Sequence, residues 1–215
     1  MYCGVDEAGR GSVMGPLVVG CVSVKDDAGL MAIGVKDSKK LTPKKREEMY
    51  DDIITGCDDW TTVVISAEDI DLERKTVSLN DIEMRMFSEA ISHCGSCTKA
   101  YVDCPDINEI SFSRRLSVML GNGVEIIAKH KADDTYPVVS AASIVAKVTR
   151  DRMIEEIRQE FGIDIGSGYP SDHYTMDFIE EWIKNNRCAP KHVRCSWEPV
   201  KIMLSKRANT KLTDW

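Results

Sequence analysis

The chain has no uninterrupted run of about 18 apolar residues, which argues against a membrane-spanning helix. Residues 1–30 lack a basic segment followed by an apolar core and a cleavage site, so secretion is not expected and the cytoplasm is. No internal repeat, low-complexity tract or Gly/Ser- or Pro-rich linker divides the sequence. Cysteine is present eight times, at positions 3, 21, 57, 94, 97, 104, 188 and 195, without the spacing of a disulfide framework. Reduced thiols are the better reading. The close pair Cys94-Gly95-Ser96-Cys97 has no second pair at zinc-finger spacing, and reads as a helix end with Gly95 as terminator.

What is present is ordinary in bulk and informative in pattern. The 215 residues are 43% hydrophobic and 29% charged, enough for one sizeable domain or one domain with an appendage. The net charge of −7 speaks superficially against a nucleic-acid partner. Its distribution does not. Residues 36–46 carry six basic groups against one acid, and residues 184–215 carry eight against two. A basic loop containing Lys39 and Lys40 and a basic C-terminal segment on an acidic body fit a protein that grips phosphates locally. A solvated lysine face gives the same pattern, so charge alone decides nothing.

Strand-like runs rich in Val, Ile and Tyr occur at Tyr2–Ala8, Leu17–Val24, Thr61–Ala67, Ala100–Asp103 and Val124–Lys129. Helical patterns occupy Pro43 to about Ile54 (with Thr42 as N-cap), Ser78–His93, Asn108–Leu120, about Pro137–Phe161, Tyr174–Asn185 and Trp197–Lys206. The order predicts an α/β fold with a mainly helical C-terminal extension, divided into a catalytic domain at 1–165 and the extension at 166–215.

Asp6 and Glu7 stand side by side at the end of the first strand, before the glycine-rich turn Gly9-Arg10-Gly11. Buried carboxylates are costly unless their charge is compensated, and a hard divalent cation such as Mg²⁺ is a natural compensator. The turn can bring backbone N–H groups and a guanidinium close to a ligand. Asp103 closes another strand, and Asp133 and Asp134 follow a third, just before the long helix. Each has a plain structural reading, as a turn or helix-start aspartate. Acids at several strand ends can nevertheless converge at one sheet edge. Three or four of them can hold two divalent ions about 3.5–4 Å apart, the arrangement that serves phosphodiester cleavage. One difficulty is geometric: successive side chains of a regular strand point to opposite faces, so Asp6 and Glu7 require either a bulge or strand end, or an indirect role for one of them.

Ser140, Ser143 and Lys147 fall at i, i+3 and i+7 near the start of the long helix, a candidate phosphate-binding face. Tyr169 lies in Gly166-Ser167-Gly168-Tyr169-Pro170-Ser171-Asp172, a loop from which it can stack on a sugar or base or anchor the loop to the core.

These motifs in this order resemble the type 2 ribonuclease H (ribonuclease HII) family, closest to its archaeal single-chain members. The signposts are Val5-Asp6-Glu7-Ala8-Gly9-Arg10-Gly11, Gly15-Pro16, Asp37-Ser38-Lys39-Lys40-Leu41, Tyr101-Val102-Asp103, Lys131-Ala132-Asp133 and Tyr136–Lys147, followed by Gly166–Asp172 and Arg194-Cys195-Ser196-Trp197. The resemblance implies a ribonuclease H-like mixed sheet flanked by helices. It implies a metal-dependent endonuclease that hydrolyses the RNA strand of RNA/DNA hybrids and incises duplex DNA 5′ of embedded ribonucleotides, leaving 3′-OH and 5′-phosphate ends. The catalytic, metal-binding acids would be Asp6, Glu7, Asp103 and Asp133, with two Mg²⁺ or Mn²⁺ ions in the working state. Asp133 rather than Asp134 is selected because the family's acid lies four residues before the proline, here Pro137. Gly9, Arg10 and Gly11 would read the ribose 2′-hydroxyl and Tyr169 would pack on the following sugar. A monomer is expected.

Residues 209–215, Asn-Thr-Lys-Leu-Thr-Asp-Trp, resemble a sliding-clamp-binding peptide, with asparagine in place of glutamine and a single terminal aromatic. A frayed tail is the alternative. A non-catalytic hybrid-binding subunit would not need four acids, and a dinucleotide-binding reading fails on spacing, G-x-G-x-x-x-G after acids.

Overall fold

Strand β1 (Tyr2–Ala8) pairs antiparallel with β2 (Leu17–Val24), all eight residues of which are buried. On its other side β1 pairs parallel with β4 (Lys99–Asp103), which pairs parallel with β5 (Glu125–Lys129). With β3 (Asp59–Ile65) at the far edge, the mixed sheet runs β3-β2-β1-β4-β5. The computed structural model describes residues 1–35, 42–94, 97–121 and 123–210, the last four through their backbone only.

Two compact units emerge. The first comprises Met1–Ala8, Val18–Val64 and Leu79–Thr149. Its sheet is covered on one face by α7 (Pro137–Phe161), whose early turns approach so closely that a Cβ on Gly4 would lie 2.3 Å from the Val138 carbonyl carbon. Gly20 is equally constrained, 2.5 Å from the Ala142 oxygen. This backbone-on-backbone approach buries Val138, Val139, Ala141, Ala142, Val145 and Val148 with Val22 and Val24 of β2. Helix α4 (Leu79–His93) packs on β1, and α5 (Glu109–Leu120) joins it through the edge-to-face pair Phe87–Phe112. Helix α2 (Pro43–Gly56) starts as the sequence predicts, with the Thr42 hydroxyl accepting from the Lys45 N–H at 3.3 Å and Pro43 in the first turn.

The second unit comprises Gly9–Leu17, Ile65–Ser78 and Arg150–Trp215. Its core gathers Val13, Met14, Ile154, Ile157, Ile165, Phe178, Ile179, Ile183, Val193 and Val200. It contains α8 (His173–Asn186) and α9 (Glu198–Thr210). Phe161, Phe178 and Trp182 meet there edge to face or tilted.

Three short helices depart from the sequence expectation. Helix α1 (Ala28–Ile33) and α6 (Ala132–Thr135) span six and four residues, too short to leave a periodic signal. Helix α3 (Ala67–Glu73) takes over the end of the strand expected at Thr61–Ala67. Ser66 is the cause: its hydroxyl accepts from the Asp69 N–H at 3.0 Å, an N-cap that stops β3 at Ile65.

Candidate active site

Strand β1 stays regular to its end. Asp6 lies opposite Gly20, Glu7 opposite Val19 and Ala8 opposite Val18 in one unbroken register. No bulge re-aims either acid, so the two-residue period sends them to opposite faces. Asp6 turns to the α7 side, where its carboxylate accepts hydrogen bonds from the Ser143 hydroxyl and from the Glu7 N–H at 2.7 Å. Glu7 turns to the α4 side, within electrostatic reach of the fully buried Glu83. The two carboxyls still meet at the strand end, where a side-chain hydrogen bond with Asp6 is among the causes that raise Glu7.

Asp103 ends β4, next but one to Tyr101, which stacks with Tyr2 and Tyr136 on the α7 side. Its Oδ1 accepts the Ala132 N–H at 2.9 Å, tying the strand end to α6. Asp133 lies just before the long helix, as the sequence suggests, inside the short helix α6 that Tyr136 separates from α7 with extended φ/ψ before Pro137. Asp133 is buried while Asp134 is exposed.

Burial pushes the Asp6 carboxyl up to about 7, with Asp103 and then Asp133 adding like-charge repulsion. The Ser143 hydroxyl and Glu7 N–H pull it the other way. Glu7 is raised well above the ordinary glutamate range, first by burial, then by Asp6, Glu83 and Asp103. Its Oε2 is buried and makes no hydrogen bond among the described residues. The charges acting on both acids are carboxylates, and an all-oxygen, like-charged donor set with a buried unsatisfied oxygen suits a hard divalent cation. As the side chains stand, no three of the described His, Cys, Asp and Glu converge on a common ion position.

Of the other residues singled out in the sequence, Ser143 and Lys147 are half-buried on α7. Ser140 is turned inward: it is buried and donates its hydroxyl to the Val35 carbonyl at 2.5 Å. Lys39 and Lys40 lie outside the described residues, as do residues 211–215 of the C-terminal peptide.

Gly9, Arg10, Gly11 and Tyr169 belong to the second unit. Gly9 has φ +93°, and a Cβ there would meet Arg150 Nε and the Pro16 oxygen at 2.5 Å. Gly11 differs: it is exposed and no heavy atom lies within 4 Å of where its Cβ would stand. Tyr169 is half-buried, one ring face covered by the Arg150 guanidinium at 4.6 Å.

Sequence reading passed over Glu83 and Arg150. Glu83 lies three and four residues before Met86 and Phe87, a charged residue on the apolar stripe of α4, and that misplacement is the signal that finds it.

Among solved structures, ribonuclease H2 from Pyrococcus horikoshii OT3 matches with a TM-score of 0.89 at 41% identity, covering 95% of this chain and 97% of that one. The structure of the PCNA:RNase HII complex from Archaeoglobus fulgidus matches with a TM-score of 0.88 at 41% identity, covering 94% and 96%. Sheet order and strand-end acids thus define a protein of the ribonuclease H-like class, a hydrolytic nuclease. Ribonuclease HII of Methanospirillum hungatei JF-1 is 45% identical over 215 residues, all of both chains. The family model described as Ribonuclease HII matches residues 3–200. The chain belongs to the ribonuclease HII family, hydrolytic endoribonucleases that cleave RNA in RNA/DNA hybrids. Among the described residues no helix is long and apolar enough to cross a membrane.

Proposed function

We propose that the chain, beyond cutting the RNA strand of hybrids, incises duplex DNA on the 5′ side of single embedded ribonucleotides, leaving 3′-OH and 5′-phosphate ends. The observation that carries the catalytic assignment is the mutual repulsion of buried Asp6 and Glu7 with Asp103, and of Asp6 with Asp133, a charge that a bound divalent cation would relieve. Asp6, Glu7, Asp103 and Asp133 hold two divalent ions, Mg²⁺ or Mn²⁺. When bound, such ions supply an activated water and stabilisation of the leaving oxygen. Ser143 keeps Asp6 oriented and charged through its hydrogen bond. The Gly9-Arg10-Gly11 turn reads the ribose 2′-hydroxyl, and the open space around Gly11 supports close approach of a backbone to substrate. Tyr169 offers its ring to the next sugar, and Lys39, Lys40 and Lys147 complete the phosphate contacts, with Ser143, through Asp6, and Ser140 supporting the substrate site from α7.

The enzyme acts as a monomer in the cytoplasm. The PCNA:RNase HII complex of the Archaeoglobus fulgidus protein supports a sliding-clamp interaction, for which residues 209–215 are the candidate peptide of this chain. Deletion of 209–215 is expected to abolish clamp affinity while leaving cleavage intact.

The test of the main reading is cleavage of a duplex carrying one ribonucleotide, with Mg²⁺ or Mn²⁺ as the variable. Incision 5′ of the ribonucleotide should require the ion and disappear in Asp6→Asn. Full activity in excess chelator, or in Asp6→Asn, would sink the two-metal assignment.

A further inference from the structure

Arg150 is the largest polar side chain buried in the second unit together with Arg194, at 1% and 0% exposure. A buried cation is expensive, and burial here draws the guanidinium below its ordinary range. An aliphatic side chain of similar size would fill the space at less cost. What the guanidinium does instead is touch two loops at once. From one side, its Nη2 donates to the Met14 carbonyl at 3.3 Å, and its Nε and Cδ occupy the space beside Gly9, 2.5 and 2.7 Å from where a Cβ would stand. From the other, Nη2 donates to the Ser167 carbonyl at 3.2 Å, and the guanidinium plane covers the Tyr169 ring at 4.6 Å. Gly168, at φ +84°, lets this happen: a Cβ there would sit 2.9 Å from Nη2 and 2.5 Å from the Met14 oxygen. The Gly168 carbonyl in turn accepts the Val13 and Met14 N–H groups at 2.8 and 3.1 Å. Nε itself makes no hydrogen bond among the described residues. The arginine is thus retained with one donor unsatisfied, a cost that simple packing does not explain.

Arg194 holds the same loop through a different set of carbonyls. Its Nη1 donates to the Arg10 carbonyl at 3.0 Å, and its Nε and Nη2 to the Gly15 carbonyl at 3.2 and 3.0 Å. It stacks on Trp197, whose ring also carries Arg74. It is the internal control for the argument that follows.

We propose that Arg150 is a positioning residue for substrate recognition: it couples the Gly9–Gly15 loop to Tyr169, so that the 2′-hydroxyl reader and the sugar-packing ring are set as one element. This deepens the functional reading above and rests on Tyr169 contacting substrate. A lysine at 150 keeps the charge and donors for the two carbonyls but loses the planar surface that covers the Tyr169 ring.

The test is a double-mutant cycle on the full chain, reading kcat and KM on a duplex with one ribonucleotide, with thermal melting as the fold check. Arg150→Lys should lower kcat/KM about tenfold in the wild-type background and less than about twofold in Tyr169→Ala, because its effect passes through the ring. Arg194→Lys should cost the same factor with or without the ring. If Arg150→Lys costs equally in both backgrounds, the coupling is overturned and Arg150 is a packing residue. If Tyr169→Ala alone leaves kcat/KM unchanged, the substrate role of Tyr169 fails first, a separate result read from a separate variant. Arg150→Gln, a neutral planar amide with no charge to bury, runs the same cycle should the lysine variant not fold.

Discussion

The Ser143 hydroxyl donates a hydrogen bond to the Asp6 carboxylate, opposing the burial and the neighbouring acids that otherwise favour the protonated form. One hydroxyl on α7 thereby acts on the acid at the end of β1. Like charge gathers at the strand ends, with Asp103 acting on both Asp6 and Glu7, and extends to Glu83 beyond Glu7.

This arrangement makes the metal-free protein pH-sensitive in a defined direction. Asp6 rises from 3.8 to about 7 on folding, so between those values the folded state binds more protons than the unfolded one. Its contribution to stability is present at low pH and is lost as pH climbs toward and through 7. Chelator-treated protein should therefore show a smaller pH-dependent loss of Tm from pH 5 to pH 8 in Asp6→Asn than in wild type. Addition of Mg²⁺ or Mn²⁺ at pH 8 should raise the wild-type Tm and leave that of Asp6→Asn nearly unchanged. Identical pH profiles for the two proteins would contradict the electrostatic account.

Asp133 and Asp134 are neighbours with opposite environments, one buried in α6 and one in solvent. Asp133→Asn is expected to reduce hybrid cleavage to background. Asp134→Asn should stay within about twofold, the range of an ordinary surface change. Steady-state rates on one RNA/DNA hybrid decide it, and the reverse ranking would move the fourth acid by one residue.

The two glycines of the turn should separate cleanly. Gly9→Ala forces a Cβ into Arg150 and the Pro16 carbonyl at a positive φ, and should cost on the order of 2 kcal/mol or more of stability. Gly11→Ala meets nothing in the chain and should hold stability within about 0.5 kcal/mol, yet reduce kcat/KM on ribonucleotide substrates. Denaturant melts and kinetics on both variants check the pair. A fully active Gly11→Ala would remove the close-approach role.

The loop carrying Tyr169 is tied down by Asp172. Its Oδ2 accepts the Ser167 N–H at 2.7 Å, and its Oδ1 accepts the Tyr174 N–H at 3.1 Å as the N-cap of α8. These bonds, that of Ser167 first, hold its carboxyl below the ordinary aspartate range. The stability they give is present above about pH 4 and is lost as pH falls through that depressed value. Asp172→Ala should cost about 1 kcal/mol at neutral pH, as N-cap losses do, and the difference from wild type should shrink in acid. Melting curves at pH 7 and pH 3 test both statements.

The sequence by itself determined the strands β1 and β2, the capped start of α2, the span of α7 and the family. Each rests on information local in the chain: side-chain periodicity, a Thr-Pro start signal, or a motif of adjacent residues. Ser66, whose cap ends β3 early and opens α3, lies inside the apolar run that the sequence reads as one strand over Thr61–Ala67. Only the tertiary structure decided where the charges point. A regular register, unbroken to Ala8, put Asp6 and Glu7 on opposite faces, while the sequence left a bulge equally open. The placing of Glu83 within electrostatic reach of Glu7, the inward turn of Ser140 onto Val35 and the covering of Tyr169 by Arg150 join residues 76, 105 and 19 positions apart. Burial and its electrostatic cost depend on what packs against a side chain, and in a folded chain that is set by segments far away in sequence.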